Sequence, residues 1–259
     1  MVPQRWPLTG CLALALCVAS FGQAQPPTST KTPAPDAKPA TPSVDEIVNH
    51  YVQAVGGRAA WRKLKSRVSM GRIEVTSANL SGTVIVHEKA PNKILTIIIV
   101  SGSAFRQGFD GTVGWAEDPQ NGLREQSGAE LAETRRQADF YSPLDLRDHY
   151  SKLTLLDTER VNEHDTNVLE AALPEGGPPD KLYFDAESGL PVKLVSQHHS
   201  PDGVSQFEEN FSEYREVDGV TLPFTISQTG GDSDFVVRMS EVRHNVQLED
   251  GEFSKPAVQ

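Results

Sequence analysis

The sequence has only two cysteines, Cys11 and Cys17, and both lie within its first two dozen residues. That stretch has the pattern of an export signal, because a lone Arg5 precedes an apolar run and small residues precede Gln25. We therefore predict a signal peptide at residues 1–24, cleaved after Ala24. The mature chain would then contain no thiol, disulfide or cysteine-bound metal, and its stability must come from burial of apolar side chains.

Long hydrophobic runs are also lacking. The apolar part of the signal, Leu12 to Phe21, spans about ten residues, whereas a membrane-spanning helix needs roughly 20. The longest later run, Ile94 to Val100, has the length of a buried strand. Cys11 precedes the apolar run, whereas the lipid-attachment cysteine of a bacterial lipoprotein follows it, so we predict neither a lipid anchor nor a transmembrane span.

Basic residues are outnumbered, with 24 lysines and arginines against 35 acidic residues and a formal net charge of -11. Cleavage of the signal removes Arg5 and one positive charge. An acidic chain of this kind repels nucleic acid and anionic membrane surfaces, so neither is expected as a partner.

Catalytic and metal-binding patterns are missing as well. No Gly-x-Ser-x-Gly motif occurs, and His198 and His199, as neighbours in a predicted strand, should point to opposite faces. His164 and Asp165 fall in a predicted turn, where polar residues are common. We therefore predict no catalytic residue, no metal site and no cofactor, and the protein is not expected to be an enzyme.

Two segments frame the predicted domain. Residues 25–42 are rich in proline, alanine, threonine and lysine and have no large apolar side chain, which predicts a disordered linker. The folded domain is expected at residues 43–253, followed by a tail at 254–259. The domain opens with a helix, since Ser43 and Glu46 form a capping box and Gly56-Gly57 supplies a helix end.

From Arg67 to Asn245 the sequence alternates between apolar and polar residues in short segments separated by turn residues. The short connections predict an antiparallel sheet. One helical stretch interrupts it, where Ser127 and Glu130 form a second capping-box pattern and Ser142-Pro143 opens a further short helix through Tyr150.

Several turns and strands resemble those of the exported proteins similar to the outer-membrane lipoprotein-sorting carriers LolA and LolB. The residues that carry the resemblance are Ala54-Val55-Gly56-Gly57, Gly71-Arg72-Ile73-Glu74, Phe109 to Trp115, Leu182-Tyr183-Phe184-Asp185, Gly189-Leu190-Pro191 and Gly219 to Pro223. The resemblance implies a mainly β fold with some α structure (α+β), an incomplete antiparallel β-barrel of about 11 strands capped by helices. It also implies that acyl chains are held between sheet and helices.

The strand Ile94 to Val100 is apolar on both faces, so each face must be covered or must be available to a ligand. Together with the apolar stripe of the first helix it supplies the candidate cavity residues, which are Ile47, Val48, Tyr51, Leu95, Ile97, Ile98, Ile99 and Val100. We predict a monomeric periplasmic protein that binds an apolar small molecule, an acyl chain or a lipoprotein. An envelope module that binds a peptide or lipoprotein partner is the alternative, and an uncharacterised hydrolase comes third.

Overall fold

The computed structural model describes residues 41–200, 203–230 and 234–257. The predicted signal peptide and nearly all of the predicted linker lie outside this range. Within it, none of the helices has the length and apolar character that crossing a membrane requires.

The described residues form three α-helices and fourteen β-strands. The helices are α1 (Val44–Ala54), α2 (Gly57–Trp61) and α3 (Gly128–Gln137). The strands are β1 (Ser66–Val75), β2 (Leu80–Lys89), β3 (Lys93–Val100), β4 (Ser103–Phe109), β5 (Gly114–Asp118), β6 (Gly122–Glu125), β7 (Lys152–Leu155), β8 (Glu159–Val161), β9 (His164–Ala172), β10 (Asp180–Asp185), β11 (Pro191–Ser200), β12 (Gly203–Val217), β13 (Val220–Thr229) and β14 (Phe235–His244). Short 3-10 helices span Thr76–Ala78, Leu146–His149 and Asp250–Phe253.

All fourteen strands belong to one antiparallel sheet in the order β6-β5-β4-β3-β2-β1-β14-β13-β12-β11-β10-β9-β7, with β8 paired to β9. The end strands β6 and β7 do not pair with each other, so the sheet stays open. The predicted incomplete antiparallel barrel is confirmed. The extra strands relative to the expected 11 or so include β6, β7 and β8, which are too short to give a clear alternating pattern.

Helix α1 begins and ends as its sequence predicts. Ser43 and Glu46 form the capping box, with the Ser43 hydroxyl accepting from the Glu46 backbone amide at 3.2 Å. Gly56 follows with a φ of +108°, and a Cβ there would lie 2.3 Å from the Gly219 carbonyl oxygen. Because Gly56 has no side chain, the end of α1 packs directly on the turn between β12 and β13. There the Thr221 backbone amide donates to the Val55 carbonyl at 3.1 Å.

The helices cover one face of the sheet, which we call the inner face. Ile47 and Val48 of α1 pack on strands β9 and β10, and Trp61 and Phe140 form a neighbouring cluster with Val220 of β13. This packing holds the helices over the sheet. Open space remains between the helices and those strands that they do not contact.

The opposite, outer face is covered at one end by the chain's own C-terminal segment, residues 246–253, which we call the C-terminal strap. Leu248 and Phe253 of the strap pack on Val68, Leu95 and Trp115. The Trp115 indole donates to the Phe253 carbonyl at 2.8 Å. The Trp115 ring lies across Gly108 of the adjacent strand, where a Cβ would meet it at 2.5 Å.

The second predicted capping box does not form. Ser127 makes no side-chain cap hydrogen bond, and Glu130 instead accepts two bonds from the Arg124 guanidinium, at 2.7 and 2.8 Å. A bidentate pair with a guanidinium is stronger than the single bond that Glu130 would accept from the neutral backbone amide of Ser127 in a capping box, which explains why the local signal fails. The further helix predicted from Ser142 is also shorter than expected, a turn followed by the 3-10 helix Leu146–His149.

Candidate functional site

A cavity of about 370 Å³, the first cavity, lies between α1, α3 and strands β10 to β12. Its floor is apolar and is formed by Leu182, Phe184, Leu194 and Phe211. Tyr51 of α1 closes one side and packs against Phe184, with ring centroids 5.2 Å apart. A space of this size with apolar lining is within the range of small-molecule sites.

The wall of the first cavity carries hydrogen-bonding groups. The Tyr150 hydroxyl donates to Asp180 Oδ2 at 2.9 Å. Burial raises the pKa of the Asp180 carboxyl, and the bond from Tyr150 and the charge of Arg136 offset only part of that rise. Burial also raises the pKa of the Tyr51 and Tyr150 hydroxyls, so both keep their protons at neutral pH and can donate hydrogen bonds.

A second cavity, of about 340 Å³, lies on the other side of α3. Its apolar side chains are Ile73, Ile98, Phe105, Ala116 and Phe235, which come from strands β1, β3, β4, β5 and β14. Amide, hydroxyl and charged side chains form the remainder of its lining, among them Gln107, Gln126, Gln228, Thr134 and His199.

Helix α3 separates the two cavities, and Glu133 lines both. Three sets of bonds hold the helix in place over the inner face. Gln107 of β4 donates to the Thr134 hydroxyl at 2.8 Å, Glu133 accepts from the His199 backbone amide at 3.2 Å, and Arg124 binds Glu130 as described above. The helix is therefore anchored to both halves of the sheet.

A smaller third cavity, of about 240 Å³, is lined by Val75, Leu80, Val100 and Phe105. Phe105 also lines the second cavity, so the two spaces share one wall.

The eight predicted cavity residues divide among several locations. Tyr51 lines the first cavity, Ile98 the second and Val100 the third, while Ile47 and Val48 are buried between α1 and the sheet. Leu95 and Ile97 instead lie on the outer face, where they pack with the C-terminal strap, and Ile99 on the same face is 43% exposed. None of these three lines the cavities described above.

Sequence reasoning missed the polar lining of both cavities. Glu133, Asp180, Gln126 and Gln228 come from separate elements far apart in the chain, so no local motif contains them. A polar residue in an otherwise apolar strand position, such as Gln228 in β13, was the available signal.

Ser188, Asp185 and His164 lie together in the structure, but they are not arranged as a catalytic relay. Asp185 accepts from the Ser188 hydroxyl at 2.6 Å and lies 2.8 Å from His164 Nδ1. The carboxylate thus stands between the serine and the histidine, which is the arrangement of a turn rather than of a base beside a nucleophile. In the described part of the chain no group of three or more histidine, cysteine or acidic side chains is placed to hold a metal ion.

No family model matches the sequence, and no curated protein matches it. Solved structures do match the fold. A DUF1329 family protein from Desulfovibrio piger has a TM-score of 0.54 at 16% identity, over 83% of this chain and 98% of that one. A putative outer membrane lipoprotein-sorting protein domain from Vibrio parahaemolyticus has a TM-score of 0.52 at 17% identity, over 81% and 95% of the two chains.

A LolA superfamily protein from Nitrosomonas europaea also has a TM-score of 0.52, at 15% identity, over 83% of this chain and 99% of that one. Each match spans nearly the whole of the similar protein, so the likeness concerns the complete sheet and its helices. The resemblance found in the turn motifs is thus confirmed at the level of the fold, and the chain has the LolA-like fold.

Proposed function

We propose that this protein is a non-enzymatic periplasmic binding protein that holds an apolar chain between the inner face and the helices. The chain would be an acyl group, either of a free lipid or of a lipoprotein. The observation that carries the proposal is the pair of cavities of about 370 and 340 Å³ on either side of α3, each with apolar side chains from the sheet.

The energy of such binding comes from burial. Each methylene removed from water contributes about 0.8 kcal/mol, so a 14-carbon chain gains up to roughly 11 kcal/mol before the ordering costs of binding. The cavities present the apolar surface that this requires. Leu194 and Phe211 supply it in the first, and Ile98, Phe105 and Phe235 in the second.

The fold supports the same proposal. One of the similar structures is described as a putative outer membrane lipoprotein-sorting protein domain, and the present chain is similar to it in fold. Export of this chain rests on the predicted signal peptide at residues 1–24.

The test is binding of a fluorescent acyl probe to the purified protein and to two variants of adjacent residues. Ile98→Glu places a charge in the second cavity, whereas Ile99→Glu places the same charge on the exposed outer face. We expect Ile98→Glu to weaken probe binding by at least about tenfold, because a buried charge is costly, and Ile99→Glu to bind as the wild type does. Circular dichroism controls for folding.

Filling each cavity in turn with a large side chain tests which of the two cavities holds the acyl chain. Ser196→Trp would occupy the first cavity and Ala116→Trp the second. Loss of probe binding in one variant identifies the cavity that holds the chain. If the folded wild type takes up no acyl probe of any chain length, the proposal is wrong and the peptide- or partner-binding alternative is favoured.

A further inference from the structure

The first cavity is bordered by a buried carboxylate that has no salt bridge. Asp180 is 7% exposed and lies at the edge of the apolar floor. Among the described residues its hydrogen-bond partner is the neutral hydroxyl of Tyr150, which donates to Oδ2. The charge of Arg136 acts on Asp180, but the Arg136 guanidinium is bonded to Glu175 instead. Buried carboxylates are normally paired with a cation, so a partner for Asp180 is missing.

The other carboxylate oxygen of Asp180 is open to a ligand. Within the described part of the chain, Oδ1 accepts no hydrogen bond. It nevertheless keeps accessible surface, in contrast to the enclosed atoms Gln126 Oε1 and His199 Nδ1, which no ligand can reach. Because Asp180 lines the first cavity, a molecule in that cavity can approach Oδ1.

A second oxygen lies near this carboxylate. Tyr51 lines the same cavity and is close enough to Tyr150 to raise the pKa of the Tyr150 hydroxyl. The Tyr51 hydroxyl makes no hydrogen bond to any residue that the structure describes, and it is not among the enclosed atoms. A phenol oxygen can accept a bond from an N–H group. Asp180 and Tyr51 therefore offer two acceptors beside one apolar surface.

The charge of Asp180 restricts what the ligand can be. A carboxylate forms its strongest hydrogen bonds with cationic donors, which also neutralise it. A neutral hydroxyl would leave the buried charge unpaired, and a carboxylate or phosphate of a ligand would be repelled by it. An ammonium group satisfies both requirements, since it carries a positive charge and three N–H donors.

We propose that the first cavity binds a primary-amine amphiphile, whose ammonium group donates to Asp180 Oδ1 and to the Tyr51 hydroxyl while its apolar chain lies on the cavity floor. This inference rests on the proposed function and specifies the class of ligand that the cavity takes.

Three ligands with the same 12-carbon chain test the inference, namely dodecylamine, dodecyltrimethylammonium and dodecanol. The first has the charge and the N–H donors, the second has the charge alone, and the third has a donor without charge. Each is titrated below its micelle concentration into the full mature protein at neutral pH, and its Kd is measured by calorimetry. We expect dodecylamine to bind at least about tenfold more tightly than dodecanol and at least about threefold more tightly than dodecyltrimethylammonium.

Two variants locate the preference for the amine. Asp180→Asn removes the carboxylate but keeps its shape, so dodecylamine should then bind within about threefold of dodecanol, while the affinity for dodecanol is unchanged. Asp157→Asn removes the same charge from an exposed position between β7 and β8 and is the matched control, in which the preference should persist. Circular dichroism checks that both variants are folded.

The outcomes separate this inference from the proposed function. Equal binding of dodecylamine and dodecanol overturns the inference alone, provided that the fluorescent acyl probe still binds. Equal loss of the preference in both variants also overturns it, because the amine would then be attracted only by the general negative charge of the protein. Dodecyltrimethylammonium binding as tightly as dodecylamine would refute the hydrogen bond to Oδ1. Failure of the acyl probe and of all three ligands to bind the folded protein overturns the proposed function as well.

Discussion

The two faces of strand β3 have nearly the same composition but different surroundings. On the outer face, Leu95 is buried under the C-terminal strap, in contact with a cluster that includes Phe253. On the inner face, Thr96 and Ile98 border the second cavity. Apolar character alone therefore does not identify a binding surface, because one apolar face is used for the protein's own core and the other borders open space.

The largest expected effect comes from removing the cover of the outer face. Phe253 is completely buried and packs with Trp115 and Leu95. Phe253→Ala should lower the free energy of unfolding by about 3–5 kcal/mol, measured by chemical denaturation. Folded Phe253→Ala protein should still bind the acyl probe, because the strap lies on the face opposite the cavities. Loss of binding in the folded variant would show that the two faces are not independent.

A matched pair of truncations within β3 compares the faces directly. Leu95→Ala leaves a hole in a packed cluster and should cost about 2–5 kcal/mol of unfolding free energy. Ile98→Ala enlarges a space that already exists, so it should cost less than about half as much, because fewer packed atoms lose their contacts. Denaturation midpoints of the two variants provide the measurement, and equal costs would contradict the assignment of an open inner face.

The smallest expected effect concerns one carboxylate on each face. Burial raises the pKa of Asp180 in the first cavity, whereas hydrogen bonds from Lys89 and then Lys93 lower the pKa of Asp250 in the strap. Because the pKa of Asp180 is higher in the folded protein than in the unfolded chain, the ionised carboxylate lowers the stability once the pH rises above the pKa of the unfolded chain. Because the pKa of Asp250 is lower in the folded protein than in the unfolded chain, its carboxylate stabilises the fold at a pH above the pKa of the unfolded chain. This stability is lost as the pH falls through the folded-state pKa.

Asparagine substitutions should therefore act in opposite directions at neutral pH. Asp180→Asn should raise the unfolding midpoint, and Asp250→Asn should lower it, while both differences should shrink below about pH 3, where the carboxyl groups are protonated in the unfolded chain as well. Thermal unfolding at neutral and acidic pH measures both. The same direction of change in the two variants at neutral pH would refute the contrast.

Local signals in the sequence predicted the local structure well. The capping box of Ser43 and Glu46 forms, and Gly56, Gly189 and Gly219 all have the positive φ that their turns require. The antiparallel order of the sheet followed from the short connections between strands. The second capping box failed because Arg124, which precedes the helix, competes for Glu130.

The functional surface could be predicted only in part. The pattern of β3 showed that both faces are apolar, but the choice between them depends on the strap, which follows β3 by about 150 residues in the chain. Gln126, Gln228 and Glu133 meet only after β13 and α3 pack around the same space. Such long-range contacts leave no periodic pattern in the sequence, so the polar lining could not be foreseen.

The most direct test of the central claim is photo-crosslinking with an acyl chain that carries a diazirine along its length. The folded protein is irradiated with the bound chain, and the modified residues are identified by mass spectrometry of the peptides. The account predicts adducts on inner-face residues, such as Ile98, Phe105 and Phe235 or Leu194 and Phe211. Adducts confined to Ile97 and Ile99 on the outer face, or no adduct at all, would contradict it.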